Sequence, residues 1–480
     1  MSKKRILFLN LPTLTGGRFN RPIRFPAFGY ATPVLHPPLL LAYAAAYIRE
    51  KGYEVSFIDA VAEDIDVESL TRIVADKFQP DFIVAETSTP SFKNDVDVLD
   101  FIKRAYNCKI VLVGPHVSAI PYESLKSSRG VVDAVIVGEY EVSLLEYLEK
   151  GPDGTKGVGF IKDSTGEVII NERRLFIENL DALPFPARDL LPNHKYFDPI
   201  LKNPFTFVLA GRGCPYKCIF CNWPQVLTGR KYRYRSPKNV VDELEHIEKK
   251  YDFKSFLFND DTLTINKNFI ISLCDEILER KIKIPWACYA RADNDDEFML
   301  KKLREAGCFL LKVGVESGDQ QILNNIRKGY KIEKVERAIK LMKDLGFHVH
   351  ATFVFGMPGE SIQTIKKTIN FAKKLKPTTV QFSTGVPYPG TEFYMYLKSN
   401  GYLHTEDWNL YTPLQPLYSY PELSADEIIK AVNMAYKSYY LNFNYIVTQG
   451  IGKFFEQPIR TTKSAIKVFR LAFSSTKKSP

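Results

Sequence analysis

Three cysteines in one short segment have the residue type and the spacing to hold a soft metal centre. Cys214, Cys218 and Cys221 lie within Gly211–Trp223 (G-R-G-C-P-Y-K-C-I-F-C-N-W) with the spacing C-x3-C-x2-C. Their thiolates could bind a zinc ion or an iron–sulfur cluster. A closed structural zinc site needs a fourth ligand, and the neighbouring sequence offers none. A four-iron cluster held by three cysteines would keep one iron open for a substrate or cofactor.

The segment before these cysteines, F-T-F-V-L-A at 205–210, is a predicted strand that leads directly into the cysteine loop. The arrangement resembles the radical S-adenosylmethionine (SAM) superfamily, whose signature is C-x3-C-x-aromatic-C, with Phe220 as the aromatic residue. The resemblance implies that Cys214, Cys218 and Cys221 hold a catalytic [4Fe-4S] cluster. It also implies that the open iron binds SAM, which is cleaved to a 5′-deoxyadenosyl radical, and that Phe220 lies against the SAM adenine.

From residue 205 the pattern alternates between strands and helices and predicts a partial (βα)6 barrel. Catalytic groups are expected at the carboxyl ends of its strands. The resemblance implies SAM contacts at three such ends, by Asp261, Arg291 and Glu316. Carboxylates suit the amine and hydroxyls of SAM, and arginine suits its carboxylate. For each acid the alternative is a helix-capping role.

Two histidines alternate along the predicted strand 348–356. His348 and His350 therefore share one face of that strand. If the face points inward, they could contact substrate. If it points outward, they meet the covering helices, and this structural role is the favoured interpretation.

The first 150 residues predict a doubly wound, Rossmann-like parallel sheet of about five strands, which would bind ligands at the carboxyl ends of its strands. This region resembles the cobalamin-binding domain that precedes many radical SAM domains, through H-P-P-L-L-L-A-Y, S-T-P-S-F-K-N-D, V-G-P-H-V-S and V-G-E-Y-E. The resemblance implies cobalamin contacts at Gly114, His116, Gly138 and Glu139. The D-x-H-x-x-G motif is absent, so a domain that keeps the fold without the cofactor is the alternative. For His116 the alternative is a loop-stabilising role.

The remaining segments are a hairpin and proline-rich connector at 151–200, the barrel at 201–390, and a mostly helical C-terminal region at 391–480. The region ends in a predicted amphipathic helix with Lys463, Lys467 and Arg470 on one face. Such a helix favours either peripheral membrane contact or docking on the barrel, and nucleic-acid binding is a third option.

Composition narrows the setting. The 480-residue chain has a net charge of +10 and seven cysteines. The odd cysteine count and tight triplet disfavour a secreted disulfide framework. No signal peptide and no bilayer-length apolar stretch are seen, so the expectation is a cytoplasmic protein, with membrane contact limited to the C-terminal helix. The charge suits an anionic partner, and solubility of a long chain explains it at least as well. A nucleic-acid substrate is not expected. Radical SAM methylthiotransferases, which would represent nucleic-acid modification, carry a second cysteine cluster in their N-terminal domain, and the N-terminal domain of this chain has only Cys108.

The segment after the cluster, C-N-W-P-Q-V-L-T-G-R-K-Y-R-Y-R-S-P-K-N-V-V-D-E, is similar to enzymes that make hopanoid cyclitol-ether headgroups and to archaeal calditol synthases. This resemblance implies a lipid or sugar-lipid substrate, a ring-forming reaction that yields a cyclopentane-polyol headgroup, and an external electron donor of ferredoxin or flavodoxin type. The alternative is a cobalamin-dependent radical SAM C-methyltransferase acting on a lipid or small metabolite. The non-enzymatic alternative is an iron–sulfur or zinc-bearing binding protein, which predicts no SAM binding.

Overall fold

A computed structural model describes residues 4–16, 19–21, 27–28 and 34–442, which form two α/β units. The strands of the first unit are β1 (Arg5–Asn10), β2 (Phe19–Asn20), β3 (Ala27–Phe28), β4 (Glu54–Asp59), β5 (Phe82–Glu86), β6 (Lys109–Val113), β7 (Ala134–Ile136), β8 (Val158–Ile161) and β9 (Val168–Ile170). The main sheet has the order β4-β1-β5-β6-β7-β8-β9, and β2 pairs with β3. The first five strands of this sheet are parallel, and β8 and β9 add an antiparallel hairpin. The hairpin predicted in the connector therefore extends the sheet beyond residue 150.

Helices cover both faces of this sheet. They are α1 (Leu39–Glu50), α2 (Val67–Arg72, continued by a π-helix at Ile73–Phe78), α3 (Phe92–Ala105), α4 (Pro115–Ala119), α5 (Pro121–Ser127) and α6 (Glu141–Lys150). Phe8 packs in the layer that contains α1 and α6, and its neighbour Leu9 packs in the layer that contains α2 and α3. Strands buried on both faces need continuous apolar runs, which β1 has. The predicted doubly wound fold is confirmed.

The second unit is a six-stranded, fully parallel partial barrel in the order β10-β13-β14-β15-β16-β17. Its strands, with a separate short β11–β12 pair, are β10 (Phe205–Val208), β11 (Gly211–Arg212), β12 (Arg233–Tyr234), β13 (Ser255–Phe258), β14 (Trp286–Arg291), β15 (Cys308–Glu316), β16 (His348–Phe355) and β17 (Thr379–Thr384). Its helices are α7 (Asn222–Val226), α8 (Pro237–Lys250), α9 (Lys267–Glu279), α10 (Glu297–Glu305), α11 (Gln320–Asn325), α12 (Ile332–Asp344) and α13 (Ile362–Leu375). The predicted (βα)6 partial barrel is confirmed.

Alternate residues of the barrel strands face different surroundings. Phe256, Cys288 and Leu311 pack in the core that contains the barrel helices. Leu257 and Ala287 join the core of the N-terminal unit and the connector. The inner face of this open barrel is therefore filled by the rest of the chain.

The C-terminal part of the described chain contains α14 (Glu392–Ser399), a 3-10 turn at Trp408–Leu410 and α15 (Ala425–Tyr440). None of the helices in the described ranges is both long and apolar enough to cross a bilayer. The predicted basic amphipathic helix, which includes Lys463, Lys467 and Arg470, lies outside the described residues.

Candidate functional site

The cysteine loop is closed at its base by the short antiparallel pair of β11 and β12, in which Arg212 faces Arg233. Gly213 follows with φ +91, and a Cβ there would lie 2.2 Å from the Lys231 carbonyl oxygen, so only glycine fits. The Cys214 backbone N–H then donates across the loop to the Gly229 carbonyl at 3.1 Å. The chain is thereby turned sharply at the first cysteine.

The three cysteines lie on one loop and mostly inside the protein. Cys214 and Cys218 are buried and Cys221 is half-buried, and all seven cysteines of the chain are thiols outside any disulfide. In the described ranges, no group of three or more His, Cys, Asp or Glu side chains has the arrangement that would hold a metal ion. Three thiols on one tight loop fit a four-iron cluster that is held by three cysteines.

Two acids at the carboxyl end of β13 hold the cysteine loop from the barrel side. Asp261 Oδ2 accepts hydrogen bonds from the Gly213 N–H at 3.1 Å and the Thr228 hydroxyl at 2.9 Å. Asp260 accepts from the Gly211 N–H at 2.5 Å and the Tyr232 hydroxyl at 2.9 Å. Burial raises the pKa of Asp260 to about 7. Asp261, which is predicted to contact SAM, thus holds the cysteine loop in place. Asp260 holds the same loop, and the only sequence signal for this was its position beside Asp261 in N-D-D.

Arg291, the second predicted SAM contact, lies against the cysteine loop. Its guanidinium carbon is 3.8 Å from the centre of the Tyr216 ring and 5.0 Å from that of Tyr330. Its Nε donates to Asp293 Oδ1 at 2.7 Å. Stacking and ion pairing hold this cation in a defined orientation beside the loop.

Glu316 and Phe220 are connected by Lys328, a residue that no motif or strand-end position points to. Glu316 Oε1 accepts a hydrogen bond from Lys328 Nζ at 2.8 Å, and Lys328 Nζ lies 5.9 Å from the centre of the Phe220 ring. A Cβ at Gly314 would lie 2.1 Å from Glu316 Oε1, so glycine makes room for this pair. Although burial lowers the pKa of Lys328, the charge of Glu316 outweighs it and raises that pKa well above its usual value, with a contribution from Cys218.

The two glycines predicted to contact cobalamin are tied together at the carboxyl edge of the N-terminal sheet. Ser118 Oγ donates to the Gly114 carbonyl at 2.7 Å and accepts from the Gly138 N–H at 2.9 Å. Gly114 has φ +109, and a Cβ there would lie 2.7 Å from the Thr87 carbonyl oxygen. The backbone at this edge is therefore closely packed and held in shape.

His116 lies at the same edge and is fully buried. Its ring centre is 4.5 Å from that of Phe92 and 4.7 Å from that of Trp408. Its Nε2 is buried without a hydrogen-bond partner, as is the Tyr140 hydroxyl. Burial lowers the pKa of His116 to about 3, so the ring is neutral at physiological pH. Unsatisfied buried polar groups call for an explanation, and a polar ligand such as cobalamin, with its many amides, fits them.

Glu139, the fourth predicted cobalamin contact, is engaged by the barrel instead of being open at the sheet edge. Its two carboxylate oxygens accept from Arg233 at 2.7 and 2.9 Å. Oε2 also accepts from the Ile177 N–H at 2.8 Å. Its partner Arg233 lies at the base of the cysteine loop, so Glu139 links the two units.

The expectation that His350 meets the covering helices is wrong. Its neighbours Val349 and Ala351 pack in the helix-side core, whereas His350 lies in register with Lys312 on the opposite, inner face. Lys312 Nζ lies 3.7 Å from Asp198 Oδ2, so the connector fills the barrel here. Burial lowers the pKa of His350 to about 4.

Comparison with known families matches both units. The model of the radical SAM superfamily matches residues 208–372, which begin before the cysteine loop and end in α13. The model of the B12 binding domain matches residues 31–148, which contain the sheet edge with Gly114 and Gly138.

Individual proteins are similar over most of the chain. An uncharacterized methyltransferase of Pyrococcus horikoshii is 34% identical over 411 residues, which cover 84% of this chain and 88% of that protein. The anaerobic magnesium-protoporphyrin IX monomethyl ester cyclase of Rubrivivax gelatinosus is 26% identical, with coverage of 85% and 74%. The solved structure of the cobalamin-dependent S-adenosylmethionine radical enzyme OxsB, with aqua-cobalamin and SAM bound, has a TM-score of 0.72 at 18% identity, over 98% of this chain and 72% of that one. At this identity the likeness is one of fold.

Proposed function

Because this chain belongs to the radical SAM superfamily and carries a B12-binding domain before its radical SAM domain, we propose that it is a cobalamin-dependent radical SAM C-methyltransferase. It is an enzyme of the radical SAM class, whose two domains use a [4Fe-4S] cluster, SAM and cobalamin. One observation carries the choice of methyl transfer: the ligand edge of the B12-binding domain is ion-paired, through Glu139 and Arg233, to the base of the cysteine loop. A methyl carrier and a radical source side by side suit methylation of an unactivated carbon.

The ring-forming reaction expected from the resemblance to calditol and cyclitol-ether enzymes is less well supported. The relative with 34% identity is named a methyltransferase, whereas the relative named a cyclase is 26% identical. Methyl transfer is therefore the better supported reaction. A lipid or sugar-lipid, or another small metabolite, remains the substrate class that we propose.

When bound, the cluster with SAM supplies a hydrogen-abstracting radical, and cobalamin supplies a methyl group. Cys214, Cys218 and Cys221 would hold the cluster. The protein's part is to bind, orient and exclude water around these groups. The side chains of Glu316 and Lys328 are 7% and 15% exposed, so water is largely kept from this pair.

The Glu316–Lys328 pair suits the amino-acid end of SAM. That end carries one ammonium and one carboxylate, so it can satisfy Glu316 and Lys328 together. Because neither charge is then left buried and unpaired, the exchange avoids the main cost of opening a buried ion pair. Phe220, next to Lys328, offers an aromatic face to the adenine, and Arg291 offers a second fixed cation.

The test is a product analysis with the full chain, reconstituted anaerobically with iron, sulfide and cobalamin. SAM labelled in its methyl group, a reductant and a polar-lipid extract are added, and 5′-deoxyadenosine and S-adenosylhomocysteine are measured by mass spectrometry. Matching amounts of both, with label in a lipid, support methyl transfer. Deoxyadenosine alone, rising with lipid, supports ring formation instead. Neither product from a protein with a complete cluster rejects the radical SAM chemistry.

We further propose that an external one-electron donor of ferredoxin or flavodoxin type reduces the cluster. Lys217, between Cys214 and Cys218, is exposed at the surface of the cysteine loop. A cation at this place suits an acidic donor protein, because complementary charge raises the rate of encounter. Peripheral membrane contact through the C-terminal helix stays a prediction.

A further inference from the structure

The turn Gly138–Glu141 of the B12-binding domain holds both strands at the base of the cysteine loop. Glu139 accepts from both terminal nitrogens of Arg233. Glu141 Oε1 accepts from Arg212 Nη2 at 2.6 Å. Because Arg212 and Arg233 are the facing residues of β11 and β12, the loop that carries all three cysteines is gripped where it leaves and where it re-enters the barrel.

The four charged side chains are almost fully removed from solvent. The exposed fractions are 5% for Arg212 and 2% for Glu141, and 2% for Arg233 and 5% for Glu139. Buried ion pairs contribute little net stability compared with apolar residues of similar size, because desolvation offsets their attraction. What a bidentate arginine–carboxylate pair does provide is a fixed distance and orientation. The arrangement is therefore better explained by positioning than by stability.

The same turn is fixed on its other side to the edge predicted to bind cobalamin. The Gly138 N–H donates to Ser118 Oγ, which also donates to the Gly114 carbonyl. Between Glu139 and Glu141, the Tyr140 hydroxyl is buried without a partner, and a small cavity lined by Tyr140, Arg212 and Thr228 lies at this junction. One rigid turn thus contacts the ligand edge of one domain and the cysteine loop of the other.

We propose that Glu139 and Glu141 are positioning residues that set the separation between the cluster and cobalamin. This inference rests on the proposed function, because a fixed separation matters when both cofactors must act on one substrate carbon. Glu139 acts through Arg233 and Glu141 through Arg212. This role requires no contact between the carboxylates of Glu139 and Glu141 and either cofactor.

The experiment measures that separation directly, in the full chain reconstituted anaerobically with cluster and cobalamin. Pulsed EPR records the dipolar coupling between cob(II)alamin and the reduced cluster. The double variant Glu139→Gln with Glu141→Gln is compared with the wild type and with Glu146→Gln. Glu146 is the control, since it lies on α6 like Glu141 but pairs with Arg174, outside the base of the loop. Iron content and bound cobalamin are measured in each sample.

A narrow distance distribution in the wild type and in Glu146→Gln, which shifts or broadens in the double variant, supports the proposal. An unchanged distribution in a double variant that keeps both cofactors overturns it. If the double variant does not fold, Glu139→Asp decides, because it keeps the charge but shortens the reach: a shifted distribution supports the proposal and an unchanged one overturns it. A wild type that holds the cluster but no cobalamin overturns the proposed function itself, and this is seen before any variant is made.

Discussion

Lys328 Nζ donates to Glu316 Oε1 at 2.8 Å and lies 5.9 Å from the centre of the Phe220 ring in the cysteine loop. Glu316 has φ +64, a conformation that non-glycine residues adopt rarely. Strained backbone of this kind persists where the surroundings hold it, often at functional sites. The pair therefore presents one negative and one positive group at the place where a zwitterionic cofactor would meet the cluster.

Replacing Lys328 with methionine should weaken SAM binding by at least about tenfold, since a lost charge-assisted hydrogen bond costs about 1.5–3 kcal/mol. Titration of the reduced cluster with SAM, followed by EPR, measures the change. Lys367→Met is the control, because Lys367 pairs with Asp319 and is 65% exposed. Lys328→Arg should bind SAM more tightly than Lys328→Met. Equal SAM affinity in the wild type and Lys328→Met would remove Lys328 from the site.

Gly314→Ala should displace the Glu316–Lys328 ion pair. The new Cβ would lie 2.1 Å from Glu316 Oε1 and 2.9 Å from Lys328 Nζ, so the ion pair must move. Overpacking of this kind costs about 1–3 kcal/mol of stability. We expect a lower melting temperature together with weaker SAM binding and an unchanged iron content. A variant that is destabilised but binds SAM as the wild type does would show that the space at Gly314 serves packing alone.

The parts of the site that sequence predicts are those fixed by local patterns. The cysteine spacing places Cys214, Cys218 and Cys221 on one loop, and strand periodicity places Arg291 and Glu316 at strand ends. Lys328 has no such signal, because it follows α11 and returns to Glu316 only through the tertiary fold. The position of Glu139 at the sheet edge predicts a cobalamin contact, but its partner in the structure is Arg233, which lies 94 residues further along the chain.

The orientation of His350 shows a second limit of prediction from sequence. Strand periodicity states which residues share a face but not which face is inner. In a closed barrel the inner face is packed by the barrel's own side chains. Here the barrel is open, and the connector supplies Asp198 beside Lys312 to fill it. The surroundings of Lys312 and His350 on the inner face therefore include a segment more than 100 residues before Lys312, which strand periodicity does not reveal.

Each cysteine of the loop should be required for the cluster. Alanine at Cys214, Cys218 or Cys221 removes one of three thiolate ligands, so we expect loss of bound iron and sulfide and of SAM cleavage. Cys274→Ala is the control, because Cys274 is buried in the helix-side core of the barrel, where burial raises its pKa well above the usual value. Iron and sulfide analysis after anaerobic reconstitution checks this. A loop variant with a full iron complement would contradict the ligand assignment.

His116 should make the protein less stable as the pH falls. Burial holds its pKa at about 3 in the folded state, against about 6.5 when unfolded. Below pH 6.5 the unfolded state therefore binds more protons, and stability falls by up to about 1.4 kcal/mol per pH unit until the folded pKa is reached. His116→Phe, which keeps an aromatic ring between Phe92 and Trp408 and removes the titrating group, should lose this contribution. Denaturant unfolding between pH 5 and 8 compares the two proteins, and parallel pH profiles would contradict the prediction.

Lys217→Glu should slow reduction of the cluster by a flavodoxin without changing the cluster itself. The exposed lysine lies between Cys214 and Cys218, and reversing its charge opposes the approach of an acidic donor. The difference from the wild type should shrink as salt is added, because salt screens charges at the surface. Stopped-flow reduction by flavodoxin measures the rate, and dithionite, a small reductant, tests whether the cluster is intact. Lys238→Glu, at the exposed start of α8, is the control for a general loss of positive charge. Equal slowing by the two variants would place the donor's docking surface elsewhere.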